Sequence, residues 1–251
     1  MGKVYYVVPH LARTGGIKVV LQHIHLLTAA GIPAECIAIS TAHGNTSPFP
    51  RYTMTRLHIG ANAHMITEED TLVFVWPNDI EHYSNINCRK IHYAQGCLCT
   101  TNMPELHIPF SGIDKDYELW TIGSNSRTYG AMRYGKESKL VRNWIDTEVF
   151  KPGTKVPKTV GMITHRQNYN PELGNLLTGA GYRVVEISGS EEEVASKMGT
   201  CDYFIQCSPG LWNDYEYTEG FPLPGAEAMA SGAILLTYDS RGVLEYAFDI
   251  L

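Results

Sequence analysis

Two rhythms of apolar residues alternate along the chain. Lys3 to Val8 carries the unbroken apolar run Val4-Tyr5-Tyr6-Val7-Val8, which reads as a short buried strand. Gly15-Gly16 then break the chain, and Ile17, Val20, Leu21, Ile24 and Leu27 recur at helical spacing as far as Gly31. Glu35 to Ser40 reads as the next strand. Strand, glycine turn, helix and strand make a βαβ unit, which demands a parallel sheet and a right-handed crossover. Thr41 to Pro50, rich in Thr, Ser, Asn, Gly and Pro, reads as a surface loop. Strands are predicted at Thr71 to Val75, Arg89 to Tyr93, Glu118 to Ile122 and Lys139 to Arg142, with helices near Asp79 to Ser84 and Ser124 to Arg133. This alternation is that of an α/β protein.

Between Asn143 and Lys158 the composition shifts: Pro152, Gly153 and Pro157 stand among Lys and Thr, as in a linker between compact units. The rhythm then restarts with strand Thr159 to Ile163, helix Pro171 to Thr178, strand Tyr182 to Ile187, helix Glu191 to Met198 and strand Tyr203 to Cys207. A loop through Phe221 leads into helix Pro224 to Ala230, stopped by Gly232, and strand Ala233 to Thr237. The expected organisation is an N-terminal Rossmann-like domain over 1–150 and a short C-terminal one over 151–251. No repeat or low-complexity tract points to a solenoid.

Composition narrows the function classes. The 251 residues are 44% hydrophobic and 18% charged, the balance of a globular chain. Lys and Arg number 20 against 26 Asp and Glu, a net charge of -6 with no basic stripe, which argues against general nucleic-acid binding. No apolar stretch approaches the roughly 20 residues a membrane helix needs. The N-terminus shows no signal-peptide pattern, so a cytoplasmic location is expected. Six scattered cysteines fit free thiols in a reducing compartment. The tightest group, Cys88, His92, Cys97 and Cys99, lacks the paired knuckles zinc favours and reads as buried thiols, so no metal is expected.

Candidate chemistry concentrates in the string Glu219-Gly220-Phe221-Pro222-Leu223-Pro224-Gly225-Ala226-Glu227-Ala228-Met229-Ala230-Ser231-Gly232. Pro224 suits a first helical turn, where its missing N–H costs nothing. Backbone N–H groups around Phe221 to Ala226 would then project from a helix N-terminus, where dipole and hydrogen bonding favour a diphosphate. Glu227, inside the first turn, can accept two ribose hydroxyls, and Glu219, before the turn, can face the sugar beyond the phosphates. For an isolated pair of glutamates, a helix-dipole carboxylate and a solvated loop acid explain the same residues.

The full string resembles the E-x7-E signature of retaining nucleotide-sugar glycosyltransferases of the two-Rossmann (GT-B) fold, specifically glycosyltransferase family 4. Other segments follow in the family's order. Gly15-Gly16-Ile17 is similar to its first glycine loop, which borders the donor diphosphate and the acceptor. The Val141 to Pro152 segment is similar to its inter-domain segment, with Trp144 where a glycine is usual. Val185 to Gly189, Glu191 to Met198 and Cys201 to Ser208 look like the elements that precede the acidic motif. The resemblance implies a donor site of Gly15, Gly16, Ser188, Gly220, Phe221, Pro222, Leu223 and Glu227, with Glu219 and Arg166 as catalytic residues. His92 and Gln95, at the end of a first-domain strand, are acceptor-side candidates. A lone His near a strand is also a common structural residue. Trp212, Tyr215 and Tyr217 could stack on sugar faces or simply pack.

The chain departs from the family in two ways. Arg166 is not followed by the usual Lys before Pro171, so His165 or backbone amides would carry more of the phosphate charge. The chain is also shorter than the family's usual length, as expected of a compact form or a truncated piece. The resemblance implies two Rossmann-like domains facing each other across a crevice and a metal-independent, hexosyltransferase-type retaining glycosyltransferase. No cofactor is expected; the partners are a nucleotide-diphosphate sugar donor and a hydroxyl acceptor such as a glycan. Alternatives are a non-catalytic nucleotide-sugar-binding module and a nucleotide-sugar epimerase on the same scaffold.

Overall fold

The computed structural model describes residues 2–247 apart from 41, 43–45, 53, 61, 96–116, 125–126, 129–134, 136, 164–170, 207–210, 213–214, 217–219 and 238–241, and only the backbone of 77–78, 211–212 and 215–216. The chain divides into two units, Met1–Arg142 and Asn143–Leu251. Ile145, Val149 and Phe150 thereby join the core of the second unit, where Phe150 is fully buried. Composition alone leaves these residues with the first.

In the first unit, β1 (Val4–Val8) leads into α1 (Gly15–Ala29) and β2 (Ala34–Ala38). β3 (Leu57–Ile59), β4 (Thr71–Phe74), β5 (Arg89–Ala94), β6 (Tyr117–Thr121) and β7 (Ser138–Leu140) follow. They form one parallel sheet in the order β3-β2-β1-β4-β5-β6-β7. The expected helix at Asp79 to Ser84 is a tighter 3₁₀ segment, Pro77–Tyr83, started by Pro77. Most of the helix expected over Ser124 to Arg133 lies outside the described residues. β3 has three residues with one polar position, too short to carry a strand signal.

Strand alternation divides the sheet's side chains between its faces. Val20, Leu21 and Ile24 of α1 are fully buried. The Tyr6 hydroxyl lies 3.1 Å from His23 Nδ1 of α1, and the Tyr93 ring lies 5.2 Å from the same imidazole. Burial lowers the His23 pKa to about 4, leaving a neutral ring between helix and sheet. Tyr5, Val7, Ile37, Leu72 and Phe74 pack on the other face with Ile80 and Tyr83 of the 3₁₀ segment.

The second unit contains β8 (Thr159–Met162), α2 (Pro171–Gly179), β9 (Arg183–Glu186), α3 (Glu191–Thr200) and β10 (Tyr203–Gln206). The two-residue strands β11 (Leu211–Trp212) and β12 (Tyr215–Glu216) pair antiparallel, and α4 (Leu223–Ala230) and β13 (Ile234–Thr237) follow. β13-β10-β8-β9 form a parallel sheet. Ser190 caps α3 reciprocally with Glu193, the pattern of a capping box. Phe204, Met198, Cys201 and Ala228 are fully buried in this unit's core.

Phe204→Ala should cost about 3–5 kcal/mol through lost transfer energy and the cavity left behind. The denaturant midpoint of the second unit's unfolding measures it; a loss below about 1 kcal/mol would show that Phe204 is not central to that core.

Candidate functional site

The acidic-motif region is built where α4 meets the end of β10. Gln206, the last residue of β10, is buried beside Gly225 in the first turn of α4. A Cβ on Gly225 would overlap Gln206 Oε1 and lie 2.5 Å from the Tyr246 hydroxyl oxygen. The absent side chain is what lets the helix seat this closely. Pro222 is the N-cap, with φ -70° and ψ 102°, and supplies no side-chain oxygen to the first-turn N–H groups. A cap therefore does not consume the donors of Leu223 and Gly225, the groups that make a helix start attractive to anions.

Residues from further along the chain hold this turn. The Tyr246 hydroxyl donates to the Pro222 carbonyl at 2.8 Å, and its ring lies 4.8 Å from that of Phe221. Gly220 and Leu223 are buried. The helix begins at Leu223 rather than at the expected Pro224, which makes Glu227 its fifth residue, one step beyond the first turn. Glu227 is 6% exposed, and its carbonyl accepts from both the backbone N–H and the hydroxyl of Ser231, each at 2.9 Å.

Ser188 follows β9 in a loop pinned by Lys197, whose ammonium donates to the Ser188 carbonyl at 2.7 Å. Gly189 takes φ 121° there, a conformation open to glycine. Trp212 and Tyr215 face each other in the backbone register of β11 and β12. Glu219, Arg166, His165 and Tyr217 lie outside the described residues.

The first unit brings Gly15, Gly16 and Gln95 together. Thr14 caps α1, its hydroxyl oxygen accepting from the Ile17 N–H at 3.4 Å, so the two glycines open the helix. Gln95 follows β5, and its amide donates to the Gly16 carbonyl at 3.2 Å. A Cβ on Gly16 would overlap Gln95 Oε1. His92 does not join them. Strand alternation puts Tyr93 and Gln95 on the α1 face and turns His92 to the other. There it is fully buried, 6.2 Å from the Tyr117 ring. Burial lowers its pKa to about 4, and it stands on the opposite face of the sheet from Gln95 and the glycine loop.

Among the described residues, no group of three or more His, Cys, Asp or Glu is placed to hold a metal ion, and no helix is long and apolar enough to cross a membrane. Cys97 and Cys99 lie outside those residues. Sequence reasoning missed Gln206 and Tyr246; neither lies within the acidic string, and only tertiary contact connects them to it.

No family model and no curated protein matches the sequence. Among solved structures, the chain is similar to a mutant of the O-GlcNAc transferase of Thermobaculum terrenum, with a TM-score of 0.54 and 11% identity. The match covers 97% of this chain and 55% of that one, so the chain spans little more than half its length. The likeness shows the fold alone: α/β, with parallel, GT-B-like Rossmann units.

Two outcomes follow from this geometry. Gly225→Ala should lower thermal stability by pushing α4 off β10, whereas Gly179→Ala, with open space around its Cβ, should be neutral or slightly stabilising. Equal melting temperatures for the two variants would contradict the close seating of α4. His92 binds its proton more weakly folded than unfolded, so its contribution is complete above pH 6.5 and falls as the pH drops towards 4. The loss is about 1.4 kcal/mol per pH unit, and His92→Phe should flatten the stability–pH slope in that window by one proton.

Proposed function

We propose that this protein is a metal-independent retaining glycosyltransferase that moves a hexose-type sugar from a nucleotide-diphosphate donor to an acceptor hydroxyl, such as that of a glycan. The observation that carries the reading is the turn entering α4, with a proline N-cap, first-turn amides not consumed by that cap, and a buried carboxylate four residues into the helix. It coincides with the string that resembles the E-x7-E signature.

In this reading the donor diphosphate lies on the amides of Leu223 and Gly225, and Gly220, Phe221 and Pro222 shape the approach. Glu227 accepts the ribose hydroxyls, and Ser188 flanks the nucleotide. By the same resemblance, Gly15 and Gly16 correspond to the family's first glycine loop, and Gln95 is the acceptor-side candidate. Charge accumulates on the diphosphate as the glycosidic bond breaks. Preorganised amide dipoles and Arg166 stabilise that charge, an electrostatic route that commonly supplies the largest part of catalysis. Glu219 orients the sugar hydroxyls, and the departing phosphate takes the proton of the acceptor on the same face, which gives retention without a covalent enzyme intermediate.

A thermal-shift screen with UDP, GDP, TDP and ADP sugars tests the reading, because a ligand that binds only the native state raises its melting temperature. One donor class should stabilise the protein and release its nucleotide on incubation. Glu219→Ala and Glu227→Ala should lower turnover by about two orders of magnitude or more while melting within a few degrees of wild type. Wild-type turnover in both variants would overturn the site assignment. Stabilisation without nucleotide release, even with acceptor, would instead indicate a binding module.

A further inference from the structure

A polar cavity of about 390 Å³ opens in the first unit, lined by Lys3, Tyr5, Glu35, Arg56, His58 and His64 among others. Lys3 precedes β1 and Glu35 is the second residue of β2, whereas Gly15 follows the other end of β1. The cavity and the glycine loop are thus separated by the length of that strand, about 16 Å at 3.3 Å per residue. Tyr5 and Glu35 are register partners on the sheet face turned away from α1.

The charges of the cavity do not balance. Glu35 is engaged at both oxygens: Oε1 accepts from the Lys3 ammonium at 2.7 Å, and Oε2 lies 2.6 Å from His58 Nε2. Burial pushes the Glu35 carboxyl up, but the hydrogen bonds from Lys3 and His58 outweigh it and hold it below its ordinary value. The other carboxylate beside Lys3, Asp70, accepts from the Lys3 backbone N–H at 2.7 Å and from the N–H and hydroxyl of Thr67 at 2.8 and 2.9 Å. Arg56 therefore shares the cavity with Lys3 and has no ion pair among the described residues. The Lys3 ammonium is favoured chiefly by its hydrogen bond to Glu35, with the like charge of Arg56 acting against it.

We propose that this cavity binds the phosphoryl group of a small phosphorylated molecule. Two fixed cations face one carboxylate already engaged at both oxygens by Lys3 and His58, and the His64 imidazole lines the same cavity. The forked guanidinium of Arg56 matches the oxygens of a phosphate monoester, and Lys3 supplies a point charge beside it. Asn62, at φ 40°, donates its amide to the carbonyls of Ile59 and Gly60 and so fixes the turn that presents His64. An oxyanion the size of a few waters, about 30 Å³ each, leaves most of the cavity for the organic body of the ligand.

Isothermal titration with inorganic phosphate and with a hexose monophosphate, at matched ionic strength, tests the assignment. The hexose monophosphate should bind at least about tenfold more tightly than phosphate, and its addition should shift the ring resonances of His58 and His64. Arg56→Gln should weaken binding by about tenfold or more, the worth of a charge-assisted hydrogen bond. Arg56 is exposed, and circular dichroism checks that the variant keeps its fold. Glu227→Ala should leave the affinity unchanged, which separates this site from the donor turn. No binding to wild type, equal affinity for the two probes, full affinity in Arg56→Gln, or loss of binding in Glu227→Ala would each overturn the proposal.

Discussion

β1 is hydrogen-bonded on both flanks, to β2 on one side and β4 on the other, and every pair is parallel. Parallel strands require a crossover, and crossovers leaving a central strand in opposite directions part at its carboxyl end. Gly15-Gly16 begins α1 just past that end, and Gln95, beyond the end of β5, lies against it. β8 sits in the same relation to β9 and β10 in the second unit, where Gln206 ends β10 under the first turn of α4. The chain's most specific motif therefore lies where the sheet's connectivity leaves backbone groups available, and its glycine meets the strand end without an intervening side chain.

The same sheet supports two electrostatic regimes. On the α1 face, Tyr6, His23 and Tyr93 form a neutral cluster of rings, with the imidazole stripped of its charge by desolvation. On the other face, Glu35, Lys3 and His58 keep their polar groups by pairing near solvent. A strand's period of two separates these environments by one residue: Tyr5 belongs to one and Tyr6 to the other. His92 illustrates that alternation. One step in register decides whether a side chain lies beside the glycine loop, as Gln95 does, or in the core.

The apolar runs and glycine breaks of the sequence made the parallel strands and the principal helices legible, because buried strands and amphipathic helices leave local periodic signals. β3 and the pair β11 and β12 were not legible, since two or three residues carry no period. The 3₁₀ segment at Pro77–Tyr83 showed as helical but not as tighter than an α-helix, a difference set by packing of Ile80 and Tyr83 on the sheet. In the site, Gly225 and Glu227 could be read from one string. Gln206 and Tyr246 could not, because they lie about 20 residues to either side. The cavity around Glu35 was equally hidden: Lys3, Glu35 and His58 are distant in sequence, and only the registers of β1, β2 and β3 bring them together.

The bond from Tyr246 to Pro222 spans 24 residues and crosses β13 on the way. The group that fastens the entry to α4 is therefore supplied by chain lying beyond the last strand of the second sheet. Shortening the chain to end before Tyr246 would keep the helix and β13 in sequence yet remove the hydroxyl that holds the turn, so the shape of that turn depends on a segment outside the string that encodes it.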